Sequence, residues 1–328
     1  MLICRKCSQY IENKNPHYVC NGCGNTFTVV KDILDSRPFS DENEDKTVIY
    51  AIENYGKYPS SFIFSNTIGD YKRKLRGLNV STQILQMWEA KRAIAEQVGS
   101  EALDVIRLVS DCTGNKINYG SVVDMGSGQG AMLPVLSRTF KKVYAVELVM
   151  SSQLIARKLV EEMHLENVSL IAGVAEDRHF APESIDVIIM NNLIEHVADI
   201  NKVLSEAKRC LKKNGLIFFD SGNRYNLFFH EPHSLLWGVG FLPRKFMDTY
   251  VRMRTGLPYD DVHLLSLFEL KKYLRRHFGS DFSIVITPLH PSKIKGTVKK
   301  TFELVRTIPV INEIAQLIVP SLYVVAKR

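Results

Sequence analysis

Three sets of residues in this chain have types and spacings that could do chemistry. Cys4, Cys7, Cys20 and Cys23 form two C-x2-C pairs separated by twelve residues. Thiolates at that spacing suit a tetrahedral zinc site, with each pair on a tight knuckle. The knuckles are "CRKC" and "CNGCG", and Gly22 and Gly24 permit the second turn. Four thiolates leave no open coordination position, so such a metal would be structural. A unit this small needs metal or disulfides to fold. Cys112 and Cys210 stand alone and read as small buried residues.

The second set is "VVDMGSGQG", Val122 to Gly130, followed by "VYAVEL". A phosphate-binding P-loop needs a Lys and a Ser or Thr after the last glycine, and Ala131 and Met132 stand there. The dinucleotide fingerprint is G-x-G-x-x-G, whereas Gly126, Gly128 and Gly130 are spaced G-x-G-x-G. Asp124, two residues before the first glycine, can serve a cationic amine. Glu147, ending the next apolar run, is placed to take both hydroxyls of a ribose. An amine plus a ribose, with no pyrophosphate, describes S-adenosylmethionine.

The third set lies further on: Glu195 and His196 in "NNLIEHVADI", then His230, Glu231 and His233 in "HEPH", and His263. "HEPH" can supply a base or two metal ligands. Pro232 excludes the regular helix that would put both histidines on one face.

These groups must be held by elements, and the pattern of the chain predicts them. The cysteine flanks "PHYVC" and "NTFTVV" read as short strands, and "DSRPFSDENEDK" reads as a linker or surface loop. From Thr47 to Ser110 apolar residues recur at helical spacing. From Asn118 onward short apolar runs alternate with helical patterns, which predicts a doubly wound, mostly parallel α/β sheet. Ligands in such sheets sit at the carboxyl ends of the strands. The expected division is a zinc ribbon over 1–30, a linker and helical segment over 31–115, and a catalytic domain over 116–328. A lid is inserted at about 222–263.

With these residues in place, "VVDMGSGQG" resembles the first motif of the class I S-adenosylmethionine-dependent methyltransferases. "VYAVEL" resembles their second motif and "AGVAEDRHF" their adenine-binding third. "IDVIIMNNLIEHVADINKVLSEAKRCLKKNGLIFF" resembles the fourth and fifth in order. The resemblance implies a Rossmann-like fold and S-adenosylmethionine as cofactor. It places Asp124, Gly126 and Gly128 along the methionine part, with Gln129 and Gly130 opening the next helix. Glu147 takes the ribose, Ala175 and Glu176 lie beside the adenine, and Asn191 ends the fourth-motif strand at the same cleft. Where many relatives carry an acid in the third motif, this chain has Val174.

Methyl transfer from a sulfonium is an in-line displacement, and a hydroxyl acceptor also needs a base. The candidates are His196, His230 and His233. Glu195 and His196 resemble the Glu-His pair of the ubiquinone-biosynthesis O-methyltransferases, where a further acid joins the pair in binding metal. Asn192 replaces that acid here. A structural hydrogen bond at the cleft wall is the other reading of His196. The insertion around "HEPH" resembles the lid of methyltransferases of bacterial surface-glycan, lipid and natural-product pathways.

The bulk composition limits the function classes. Of 328 residues, 45% are hydrophobic and 23% charged, ordinary for a globular protein, so a disordered chain is excluded. The start has no apolar core, and Thr307 to Ala326 is broken by Pro309, Glu313 and Pro320, so a cytoplasmic protein is expected. The net charge of +7 favours acidic partners. Lys293, Lys295, Lys299 and Lys300 precede an apolar run, a combination suited to peripheral contact with the inner face of an anionic membrane, while packing of that run on the sheet before the last strand "SLYVVAKR" is the other reading. The leading expectation is O-methylation of a small molecule, sugar or lipid-linked glycan. An RNA methyltransferase with a zinc-ribbon binding module is the alternative, although the N/D-P-P-Y motif is absent. A non-catalytic binding protein is the third reading.

Overall fold

The computed structural model describes residues 2–14, 17–38, 42–60, 95–286 and 308–328. Near the N-terminus three short strands, β1 (Ile11–Asn13), β2 (Tyr18–Cys20) and β3 (Thr26–Phe27), form an antiparallel sheet. These are the strands expected beside the cysteine knuckles. The chain continues into β4 (Val29–Val30) and β5 (Ile33–Asp35), then the helices α1 (Glu42–Asn54) and α2 (Ala95–Thr113). The acidic stretch expected as a linker therefore gives way to helix at Glu42. Residues 61–94, within the segment expected to be helical, lie outside the described residues.

Strands and helices then alternate as the apolar runs predict: β6 (Ser121–Met125), α3 (Leu133–Thr139), β7 (Lys142–Glu147), α4 (Met150–Glu162), β8 (Val168–Ala172) and β9 (Ile185–Met190). They are followed by α5 (Ile200–Cys210), β10 (Leu211–Gly222), α6 (Arg244–Thr255), α7 (Leu267–Phe278), β11 (Phe282–Val285), α8 (Pro309–Ile318) and β12 (Ser321–Lys327). The nine-stranded sheet has the order β11-β12-β10-β9-β6-β7-β8-β5-β4. Strands from β10 to β5 run parallel, while β12 is antiparallel to both β10 and β11. β5 pairs with β8, so the segment expected as connecting chain extends the sheet, and β4 from the expected ribbon forms its edge.

Side chains alternate across a strand, and the parallel strands are buried on both faces. Val122, Val143 and Val187 enter one core with Ala51 of α1, Leu103 of α2, Leu136 of α3 and Leu154 of α4. Val123, Val146 and Ile188, on the opposite face of the same strands, enter the other with Leu204 of α5 and Leu274 of α7. Cys4, Cys20 and Phe27 of the N-terminal unit belong to that second core, so the ribbon is docked on the sheet rather than standing apart. The helix starts that border the cleft are held by caps. Asp199 accepts from the Asn201 and Lys202 amides at α5, and Ser266 with Glu269 forms a capping box at α7.

Candidate functional site

The strand order reverses at β6, between β9 and β7, which opens a crevice at the carboxyl ends of these strands. Asp124 lies on β6 next to the turn and is 3% exposed. Burial pushes its carboxyl up to about 7, with the nearby Glu147 charge adding to the effect. The turn folds back on β7, because the Gly126 and Ser127 amides both donate to the Val146 carbonyl, at 2.8 and 3.1 Å. Gly126 has φ 77°, and a Cβ there would meet Leu193 at 2.9 Å. Gly128 has φ 52°, and a Cβ there would meet nothing within 4 Å, so the backbone over Gly128 is open to a ligand. Glu147 at the end of β7 accepts from the Gly128 amide at 2.9 Å and the Val149 amide at 3.0 Å. Two carboxylates thus flank one glycine turn.

The next loop, 173–180, begins with the Gly173 amide donating to the Glu147 carbonyl at 2.9 Å. Ala175 and Glu176 occupy its turn. Glu176 Oε1 accepts from the Ala198 and Asp199 amides at 2.9 and 3.2 Å, which ties this loop to the segment after β9.

After β9, Asn191 is half-buried, and the Asn192 amide donates to Asp220 Oδ1 of β10 at 2.7 Å. A 3-10 turn, Ile194–His196, then directs Glu195 inward and leaves His196 exposed. Glu195 is 2% exposed, and its Oε2 has no hydrogen-bond partner. Burial, followed by the Asp220 charge, raises its carboxyl to about 7. The lid returns over this turn. His233 Nε2 stands 3.1 Å from His196 Nε2, and the two rings are edge-on. Glu231 Oε1 lies 2.6 Å from His233 Nδ1 and also accepts the His233 amide. Burial alone would raise Glu231, but the hydrogen bond and charge of His233 outweigh it and hold the carboxylate low. A carboxylate at Nδ1 selects the tautomer with its proton there, leaving Nε2 of His233 to share a proton with His196. Burial, reinforced by His233, lowers His196 below the usual imidazole range, which favours its neutral ring. The far end of the lid closes on the same turn, with the His263 amide donating to the Glu195 carbonyl at 2.7 Å.

On the second sheet face, Sγ of Cys4 and Cys23 are 3.8 Å apart and those of Cys7 and Cys20 are 3.3 Å apart. All four sulfurs lie within 4.8 Å of one another, and all four cysteines are free thiols. Tetrahedral Zn–S bonds of about 2.3 Å require sulfurs about 3.8 Å apart, so the cluster fits zinc. The Cys23 amide, aided by that of Gly22, brings Cys20 down to about 6, toward the thiolate a metal needs.

Residues 123–219 match the family model described as a methyltransferase domain. A ubiquinone biosynthesis O-methyltransferase of Pasteurella multocida is 27% identical over 34% of this chain and 49% of its own length. An (S)-coclaurine N-methyltransferase of Thalictrum flavum is 30% identical over 30% of this chain and 28% of its own. A Thermotoga maritima structure described as an S-adenosylmethionine-dependent methyltransferase, possible histamine N-methyltransferase, is similar at 18% identity. It covers 75% of this chain and 96% of its own with a TM-score of 0.46. This chain carries a class I S-adenosylmethionine-dependent methyltransferase domain. Its match spans about half the length of the first curated relatives.

Within this methyltransferase domain the expected residues Asp124, Gly126, Gly128 and Glu147 lie at the β6–β7 turn, and Ala175 lies in the loop after β8. Gln129 and Gly130 do not open a helix. They lie in a turn, and α3 starts at Leu133 with Pro134 in its first turn, where a missing amide costs nothing. Glu176 spends one carboxylate oxygen on backbone of the adjoining loop. Of the three catalytic candidates the fold joins His196 and His233. His230 packs edge-on against Trp237 at 4.8 Å instead. Asp220 and the orienting part played by Glu231 were not foreseen. Asp220 carried a signal, since it follows an apolar run as Asp124 and Glu147 do.

Proposed function

We propose that the chain transfers a methyl group from S-adenosylmethionine to a hydroxyl of a small molecule, sugar or lipid-linked glycan. The carrying observation is the Glu231–His233–His196 series at the mouth of the cofactor crevice, a base backed by a buried carboxylate. Asp124 would hold the amine of the cofactor, Glu147 its ribose, and the 173–180 loop would flank its adenine. When bound, S-adenosylmethionine supplies an electrophilic methyl. The protein's own task is then to take the hydroxyl proton. His196 is the exposed member of the pair and donates its Nε2 proton to His233 Nε2, so a hydroxyl proton enters the pair through His196, and Glu231 steadies the positive charge that the two imidazoles come to share. Four cysteines hold a structural zinc.

The lid and the C-terminal helix touch, because the Leu227 amide donates to the Ile318 carbonyl at 3.1 Å. Both expose apolar side chains, among them Phe228, Phe229 and Trp237 on the lid and Val310, Ile311 and Ile314 on the helix. This supports peripheral contact with a membrane carrying the acceptor. The lysines of the same reading, from Lys293 to Lys300, lie outside the described residues. Among the described residues no helix is long and apolar enough to cross a membrane.

The test is transfer of labelled methyl from the cofactor to a cell-envelope extract and, in parallel, to total cell RNA. Label in an alkali-stable ether of the envelope fraction, lost in His196→Ala, supports the reading. Label confined to RNA replaces it with the RNA methyltransferase reading. Absence of calorimetric binding of the cofactor leaves a binding protein.

A further inference from the structure

Besides its apolar packing on the sheet, the cysteine ribbon makes polar contacts with one loop of the methyltransferase domain. The Ile3 amide donates to the His179 carbonyl at 2.9 Å, and Leu2 forms an antiparallel bridge with Phe180. Arg178 donates to Ser8 Oγ at 3.1 Å, and Arg5 stands 4.0 Å from Asp177. Ile3, Arg5 and Ser8 immediately flank Cys4 and Cys7 in sequence. The contact is therefore made by the first metal knuckle itself.

The loop gripped in this way is 173–180, whose turn carries Ala175 and Glu176. Besides the Glu176 bonds to the Ala198 and Asp199 amides, it is pinned at three places along its backbone side. Gly173 at its start bonds to the Glu147 carbonyl. His179, 3% exposed, turns its ring back so that Nε2 lies 2.8 Å from the Val174 carbonyl, and Nδ1 lies 3.4 Å from Ser36 Oγ. A Cβ on Gly173 would come within 2.5 Å of that ring, so the loop closes tightly around His179. The ribbon holds the third place, through Ile3 on the His179 carbonyl. Ala175 packs against the same core that contains Cys4, Cys20 and Phe180.

A ribbon with strands of two or three residues has little core of its own, and its knuckles keep their shape only with metal bound. Loss of the metal frees Ile3 and the knuckle, and the 173–180 loop loses its outer support. We propose that the Cys4–Cys7 knuckle is a positioning element for the adenine-side loop, so that zinc occupancy and cofactor affinity are coupled. This rests on the zinc and S-adenosylmethionine readings above. His179 is the residue through which the coupling acts.

Coupling between two ligands is reciprocal, and that supplies the experiment. The full-length protein as purified is assayed for zinc, and S-adenosylhomocysteine binding is measured by calorimetry. Zinc is then competed away with a colorimetric chelator, with and without saturating S-adenosylhomocysteine. The expected result is about 10-fold tighter zinc retention with the nucleoside present, within the usual range for two coupled sites. The nucleoside should also bind about 10-fold more weakly to zinc-stripped protein, the same factor read from the other side. In His179→Ala zinc and nucleoside should still bind, but retention should no longer depend on the nucleoside. Should that variant fail to fold, the Ser8→Ala, Arg178→Ala double variant should show reduced dependence.

Zinc and nucleoside both bound, with identical zinc competition in both conditions, overturn the coupling and leave the proposed function standing. Protein purified without chelator and found to contain no zinc overturns the zinc reading and the coupling together. Zinc present without nucleoside binding overturns the cofactor reading and, with it, the coupling.

Discussion

Asp124 is a carboxyl buried beside a second carboxylate, and replacing it with Asn tests whether that burial serves a cation. In the folded protein its pKa is raised from 3.8 to about 7. A carboxyl raised in this way favours the folded state below its unfolded pKa, and the benefit is lost as pH rises through about 7. A shift of about three units corresponds to a ceiling of roughly 4 kcal/mol in the cofactor-free protein. Asp124→Asn should therefore be more stable than the parent at about pH 8 without cofactor, by up to roughly that amount, and lose the advantage below about pH 4. The cofactor reverses the balance, because its amine needs the ionised form. With a pKa of about 7, roughly one molecule in eleven is ionised at about pH 6 and three in four at about pH 7.5. Affinity for S-adenosylhomocysteine should thus rise about 8-fold over that interval, with proton release on binding at the lower pH. In Asp124→Asn the rise should vanish, and affinity at about pH 7.5 should fall about 10- to 100-fold for loss of a charged hydrogen bond. Urea unfolding across pH and calorimetry in two buffers of different ionisation enthalpy read both effects. The same pH dependence in parent and variant, in stability and in affinity alike, would show that Asp124 is not the amine's partner.

Three further outcomes are expected. Glu147→Ala removes the ribose acceptor and its bond to the Gly128 amide, so calorimetric affinity should drop about 10- to 100-fold, and unchanged affinity removes Glu147 from the site. Glu231→Gln takes the carboxylate from His233 Nδ1; kcat should fall about 100-fold, the lower end for loss of a general base, with KM little changed, and a parental kcat rejects the series as the base. Cys20→Ser should lower zinc occupancy measured by elemental analysis and, because Cys20 lies in the sheet's own core, also weaken nucleoside binding; full occupancy in this variant discards the four-cysteine site.

The cysteine cluster and the glycine turn between Asp124 and Glu147 were legible in the chain because each is built from short contiguous pieces. C-x2-C sets two sulfurs on one turn, whatever surrounds it. A glycine turn after a buried strand puts Asp124 at the strand end, and the next strand ends with Glu147 by the same logic. The alternation of apolar runs and helical patterns from Asn118 determined the parallel sheet, since strands buried on both faces need continuous apolar residues. Pairings that depend on the path of a loop were not legible. His196 and His233 are 37 residues apart, and the stretch of lid between β10 and α6 has no periodicity to say which of its histidines returns to the cleft. "HEPH" offered His230 and His233 equally. The tertiary structure sent one to Trp237 and the other to His196, and it gave Glu231 its orienting place. Nor did spacing reveal that β5 would extend the sheet, or that Cys4 and Cys20 would lie in its core. Those outcomes follow from burial. An N-terminal unit too small to cover its own apolar side chains gains most by laying them on the larger sheet, at whichever edge and loop that sheet leaves open.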